Sequence, residues 1–231
     1  MRRISILLTL PLLALAASAG DCVAQGMTRV QRIQGSDQRG RYDIAWVRLT
    51  ERFPNAAVRA RVNADLEREA RSHICDRAPD RERRRHYEAE YEMKVTYLSP
   101  RLLGISTREF ISCGGAHPNH GPGALLYDLR TGRQLVVENQ VADPEAFGRF
   151  VARRALAARP RNPGECVDAY TLDPLGETVY IYLLKNRTLT AIQDYPHVMK
   201  ACAYETEIPH ADIVRFLKPG SPLRALVVRR P

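Results

Sequence analysis

The sequence predicts an α+β fold: an antiparallel sheet built from hairpins, with two or three helices packed on it. Three observations carry this reading. Tyr87, Ala89, Tyr91, Met93, Val95 and Tyr97 alternate with Glu88, Glu90, Glu92, Lys94 and Thr96, which is the period of a strand with one wet face. Val58, Val62, Leu66, Ala70 and Ile74 recur every fourth residue, which is a helix stripe. The turns Ser99-Pro100-Arg101, Arg130-Thr131-Gly132 and Lys185-Asn186-Arg187 join short apolar runs as hairpins. Hairpins with helices set between them belong to the α+β class.

Taken in order, residues 25–41 read as a flexible polar lead-in, and residues 42–231 as the folded domain, with sub-lobes at 42–122 and 123–231. Tyr42 to Leu49 is a strand with Ile44 and Trp46 on one face. Pro54 ends it and Asn55 caps the helix that follows. In the long strand from Tyr87 to Tyr97 the glutamates face water, so the pleat alone explains their spacing. Leu102 to Cys113 returns as its partner, and Gly114 to Gly123 is a turn-rich loop. Leu125 to Leu129 and Gln134 to Val137 form the second hairpin. Asp143 then caps a helix with Pro144 at its first position and Phe147, Phe150, Val151 and Ala155 as its stripe; Pro160 closes it. Thr178 to Leu184 and Leu189 to Ile192 form the third hairpin. Pro209 opens a short helix that reaches Leu217.

The first residues predict export. Arg2 and Arg3 precede an uncharged stretch, Ile4 to Ala17, and small residues offer cleavage after Ala19 or after Ala24. This stretch is short of the ~20 apolar residues that cross a bilayer, so residues 1–24 read as a signal peptide and the destination as the periplasm or the medium. Asp21 before Cys22 argues against lipidation. No later segment is apolar enough to span a membrane.

The chain of 231 residues carries a formal charge of +9, and removing Arg2, Arg3 and Asp21 with the leader leaves +8. Such a balance favours anionic partners. Nearly all of it is arginine, however, and the run Arg81 to Arg85 is broken by Glu82 without aromatic interleaving. Nucleic acid is therefore not expected.

Loss of Cys22 with the leader would leave Cys75, Cys113, Cys166 and Cys202, an even set for an oxidising compartment. Four cysteines allow three pairings. The preferred one joins sequence neighbours, Cys75–Cys113 and Cys166–Cys202.

No phosphate-binding loop, dinucleotide fingerprint, nucleophile elbow or zinc-protease helix motif is present. His117, Asn119 and His120 share one loop and are candidate ligand-binding residues. A catalytic zinc needs three protein ligands, so a metal site there would need His197, His210, Asp43 or Asp212 as well. Neither metal nor cofactor is expected.

The same loop, Gly114-Gly115-Ala116-His117-Pro118-Asn119, followed by Leu126-Tyr127-Asp128-Leu129-Arg130-Thr131-Gly132-Arg133, resembles the extracytoplasmic domain shared by RsiV-type anti-sigma factors and PdaC-type peptidoglycan deacetylases. Leu189 to Tyr195, Ala203 to Pro209 and Leu217 to Leu223 are similar to later parts of that family, so the resemblance runs from Tyr42 to Leu226. It implies an α+β sensing or binding domain, used in RsiV to bind lysozyme. A sigma-binding segment and a deacetylase signature are missing, so those two activities are not expected. The expected function is an exported, non-enzymatic binding module for a cell-envelope ligand: a peptidoglycan fragment, an anionic glycan or a muramidase. Tyr195 and Tyr204 join the histidine loop as candidate ligand contacts. The alternative is a metal-dependent hydrolase of wall material acting through His117 and His120.

Overall fold

The computed structural model describes residues 26–37, 40–75, 87–113, 117–160, 164–166, 180–186, 188–193, 195 and 202–226. The leader, Cys22, His197 and the start of the third hairpin lie outside these residues. A six-stranded sheet runs in the order β1 (Thr28–Asp37), β2 (Gly40–Leu49), β3 (Glu88–Leu98), β4 (Leu102–Ser112), β5 (Asn119–Asp128), β6 (Arg133–Gln134). All neighbours are antiparallel except β2 and β3. Those two are parallel because helix α1 (Ala56–Ser72) carries the chain back between them.

Helix α1 starts where the sequence says. Asn55 Oδ1 accepts a hydrogen bond from Val58 N at 3.0 Å. Asn63 then clamps the helix to the end of β2, accepting from Leu49 N at 2.7 Å and donating to Leu49 O at 3.0 Å. Its stripe of Val58, Val62, Leu66, Ala70 and Ile74 packs on one face of the sheet, against Ile44, Trp46, Tyr91, Met93, Ile105 and Tyr127.

Val95 pairs with Ile105 while Tyr97 pairs with Gly104, so Thr96 is an extra residue, a β-bulge. A one-residue insertion reverses which side each later residue faces. Tyr97, read from alternation as a companion of Tyr91, therefore turns to the opposite face and joins a second core, while Leu98 packs on the first.

That second core sits under a smaller lobe. Strands β7 (Tyr180–Leu184), β8 (Thr188–Gln193) and β9 (Glu205–Pro209) form an antiparallel sheet. It packs with α2 (Pro144–Ala158) and the short α3 (His210–Ile213). Asp143 Oδ1 caps α2 by accepting from Ala146 N at 2.9 Å. Phe147, Phe150, Leu184, Leu189 and Ile208 fill the interior. The lobes meet where Thr96 Oγ1 donates to Leu184 O at 2.7 Å. A Cβ on Gly104 would stand 3.0 Å from Leu184 Cβ, so any larger residue would push the two strands apart by a few tenths of an ångström.

Both disulfides, Cys75–Cys113 and Cys166–Cys202, join sequence neighbours. Other expectations need correction. The lead-in is not flexible over its length: Thr28–Asp37 pairs with β2 through ten consecutive positions. The expected loop continues as strand from Asn119, and Pro122 is tolerated because among the described residues β5 has no partner on its outer side there. A sub-lobe boundary after 122 would cut β5, which pairs with β4 as far as Asp128. The segment Gln134 to Val137 keeps only Gln134 as strand and leads into a 3-10 turn, Glu138–Gln140. Among the described residues no helix is long and apolar enough to cross a membrane.

Candidate functional site

Among the described residues the small lobe covers the half of the sheet's second face beyond the bulge and leaves the other half open. Registers place the side chains of that open half. One cross-strand row reads Gln34, Asp43, Glu90, Phe110, His120; the next reads Arg32, Ala45, Glu92, Arg108, Pro122. Apart from Gln34 and Ala45, and together with Pro118, they line a groove of about 1060 Å³. The glutamates expected to face water do so, and they face it from within a concavity.

Charges across this floor are interleaved. Gln34 Nε2 donates to Asp43 Oδ2 at 2.8 Å, and Arg32 Nε stands 3.5 Å from Asp43 Oδ1. Asp43 Oδ1 is buried and among the described residues has no hydrogen-bond donor, so the Arg32 contact is ionic rather than directional. Glu92 pairs with Lys94 at 3.0 Å, and Arg41 stands 4.0 Å from Glu88 at the rim. Glu90 is exposed between Asp43 and the half-buried ring of Phe110.

The layer behind the floor is tied together by ring stacking, polar contacts and a disulfide. His73, which caps the C-terminus of α1, stacks on Tyr91 with 3.9 Å between ring centroids. Its Nδ1 lies 3.2 Å from Glu109 Oε2, and Asn119 Nδ2 donates to Glu109 Oε1 at 2.6 Å. Burial pushes the Tyr91 phenol well above the usual tyrosine range, and Glu69 and Glu109 push the same way, so it stays neutral. The Cys75–Cys113 bridge ties this end of α1 to the end of β4.

The structure separates the residues that the sequence grouped. His120 faces the groove, in the row of Phe110, whereas the neighbouring Asn119 faces the helix side and binds Glu109. A pleated strand cannot aim two consecutive side chains at one ion. His117 lies exposed just before β5. Tyr195 and Tyr204 belong to the small lobe: the buried Tyr195 Oη donates to Gln193 Oε1 at 2.6 Å, and Tyr204 Oη donates to Ala155 O at 2.9 Å. His210 is buried in that lobe, and Asp212 pairs with Arg154 at 2.6 Å. Among the described residues no three His, Cys, Asp or Glu side chains are placed to hold a metal ion. Sequence reasoning missed Arg32, Glu90, Glu92, Arg108 and Phe110 as a group. The usable signal was the polar half of the β3 alternation, matched to Arg108 and Phe110 two apart on its hairpin partner.

No family model matches the chain, and no curated protein matches it by sequence. Solved structures do. The fold is shared with DUF3298 family proteins. A DUF3298 family protein from Pseudomonas aeruginosa PAO1 superposes with a TM-score of 0.53 at 14% identity, over 84% of this chain and 95% of that one. A member of the family from Bacteroides fragilis NCTC 9343 gives 0.60 at 14% identity, over 87% and 98%. At this identity the likeness concerns architecture.

Proposed function

We propose that this chain is an exported, non-enzymatic binding module whose open sheet face receives a peptidoglycan fragment. The observation that carries the reading is the mixed chemistry of the groove floor. Asp43, Glu90 and Glu92 accept hydrogen bonds, Arg32 and Arg108 donate them, and Phe110, Pro118 and Pro122 offer apolar surface. Wall fragments present the complement: hydroxyls and amides, free amines and carboxylates on the peptide stem, and sugar rings with one apolar face. A purely anionic glycan fits less well, because carboxylates here are as prominent as guanidinium groups.

The resemblance to the RsiV- and PdaC-type extracytoplasmic domain supports a binding role, and the DUF3298 fold is compatible with it. The leader-like first residues and the two disulfides fit an oxidising compartment outside the cytoplasm.

Calorimetric titration with purified muropeptides tests the reading. Glu90→Lys and Arg108→Glu should each weaken binding about tenfold or more while the melting temperature holds. Muropeptides that fail to bind the wild-type chain, or that bind both variants as tightly, would overturn it. Saturable binding of a basic muramidase alone would move the assignment to that partner.

A further inference from the structure

A second surface lies at the opposite end of the strands from the groove. Arg29 and Arg48 are direct cross-strand partners where β1 begins and β2 ends. Like charges facing each other across a strand pair are destabilising, so nothing in folding favours this juxtaposition. Arg52 and Arg59 follow in the turn and the first coil of α1, and Arg59 Nη1 donates to Glu51 O at 3.3 Å and Phe53 O at 3.2 Å. Arg61 Nη1 donates to Thr131 O at 2.7 Å, which brings the β5–β6 hairpin with Arg130 and Arg133 against the helix start.

Three of these arginines, Arg29, Arg48 and Arg59, act on one exposed carboxylate, Glu51. A hydrogen bond from its own backbone holds its pKa low, and Arg29, Arg59 and Arg48 hold it lower still. Among the described residues no ion pair joins any of the seven to an acidic side chain. The nearby Asp128 is buried and accepts from Arg130 N within its turn. Helix α1 adds its own positive end, with no acidic residue in its first turn.

We propose that this arginine-rich pole is a docking surface for an anionic lipid bilayer. The charges are spread over a strand pair's end, a helix start and a hairpin tip, which suits a flat array of phosphate headgroups. From these exposed or half-exposed positions the guanidinium groups can reach phosphate in the headgroup layer. Along β1, Arg32 at the near edge of the groove is three residues from Arg29, about 10 Å, and the pleat sends the two side chains to opposite faces of the sheet. Docking here leaves the groove turned away from the lipid. This inference is independent of what the groove binds.

Co-sedimentation of the full chain with phosphatidylglycerol–phosphatidylcholine vesicles and with phosphatidylcholine vesicles tests it. The apolar leader contributes to both vesicle types, so the difference between them and its dependence on arginine are the readouts. Preference for anionic vesicles should fall with added salt. The variant R29Q/R48Q/R130Q/R133Q should lose it about a hundredfold, on the order of a few-fold per arginine. A control, R149Q/R153Q on α2, should change it less than about twofold by the same rule. Circular dichroism checks that each variant is folded. Equal partition into both vesicle types, equal loss in the control, or capture of soluble dextran sulfate in place of vesicles would each overturn the proposal.

Discussion

One face of the large sheet is divided into two halves with opposite fates. Beyond the bulge at Thr96, Tyr97, Leu102 and Leu126 enter a dry core beneath the small lobe. Before it, Asp43, Glu90, Glu92, Arg108 and His120 line an open groove. The strands run on through both halves. What changes is the phase of β3: a single extra residue moves an aromatic side chain to the face where the alternation would have left a polar one. The lesson is that this sheet holds part of its core and its proposed binding surface on the same face, separated by a bulge, so each half can be altered without the other.

Damage to the covered half should be the larger effect. Leu102 is fully buried, and Leu102→Ala should cost about 3 kcal/mol in urea unfolding while muropeptide affinity stays unchanged in the folded protein. Next comes acid. His210, buried in the small lobe, is held down to about 4 by burial, with a hydrogen bond to the Thr188 backbone opposing this. Its pKa is near 6.5 in the unfolded chain, so its neutral folded form is fully stabilising above that value. Stability is lost as pH falls from about 6.5 toward 4, by about 3 kcal/mol, because the unfolded chain binds the proton first. Unfolding midpoints measured across this window should slope for the wild type and flatten for His210→Gln. The smallest effect belongs to the open half: Glu90→Ala should change stability by less than about 0.5 kcal/mol, since the side chain is exposed. A large loss there would mean that the groove floor is structural, and the comparison would fail.

Much of the large sheet was legible because its signals are local. The α1 stripe, the Asn55 cap, the β3–β4 hairpin and the α2 start depend on residues within a few positions of one another. Strand β1 was hidden because Val30 and Ile33 are three apart, so no period of two survives among its polar residues. Strand β9 was hidden because Thr206 and Ile208 alone face its core. The bulge leaves no mark in composition. The candidate site was the least legible part. His117, Asn119 and His120 are neighbours in sequence, but the pleat sends Asn119 and His120 to opposite faces. Tyr195 and Tyr204 spend their hydroxyls on contacts inside the small lobe. The groove takes its residues from five strands, and only strand order and register assemble them.

The most direct measurement is an amide chemical-shift map of the isotope-labelled chain titrated with a purified muropeptide. The account predicts saturable shifts clustered at Arg32, Asp43, Glu90, Glu92, Arg108, Phe110 and His120, with Leu102, Leu126 and the small lobe unmoved. Shifts centred on Tyr195 and Tyr204, or none at saturating ligand, would contradict it.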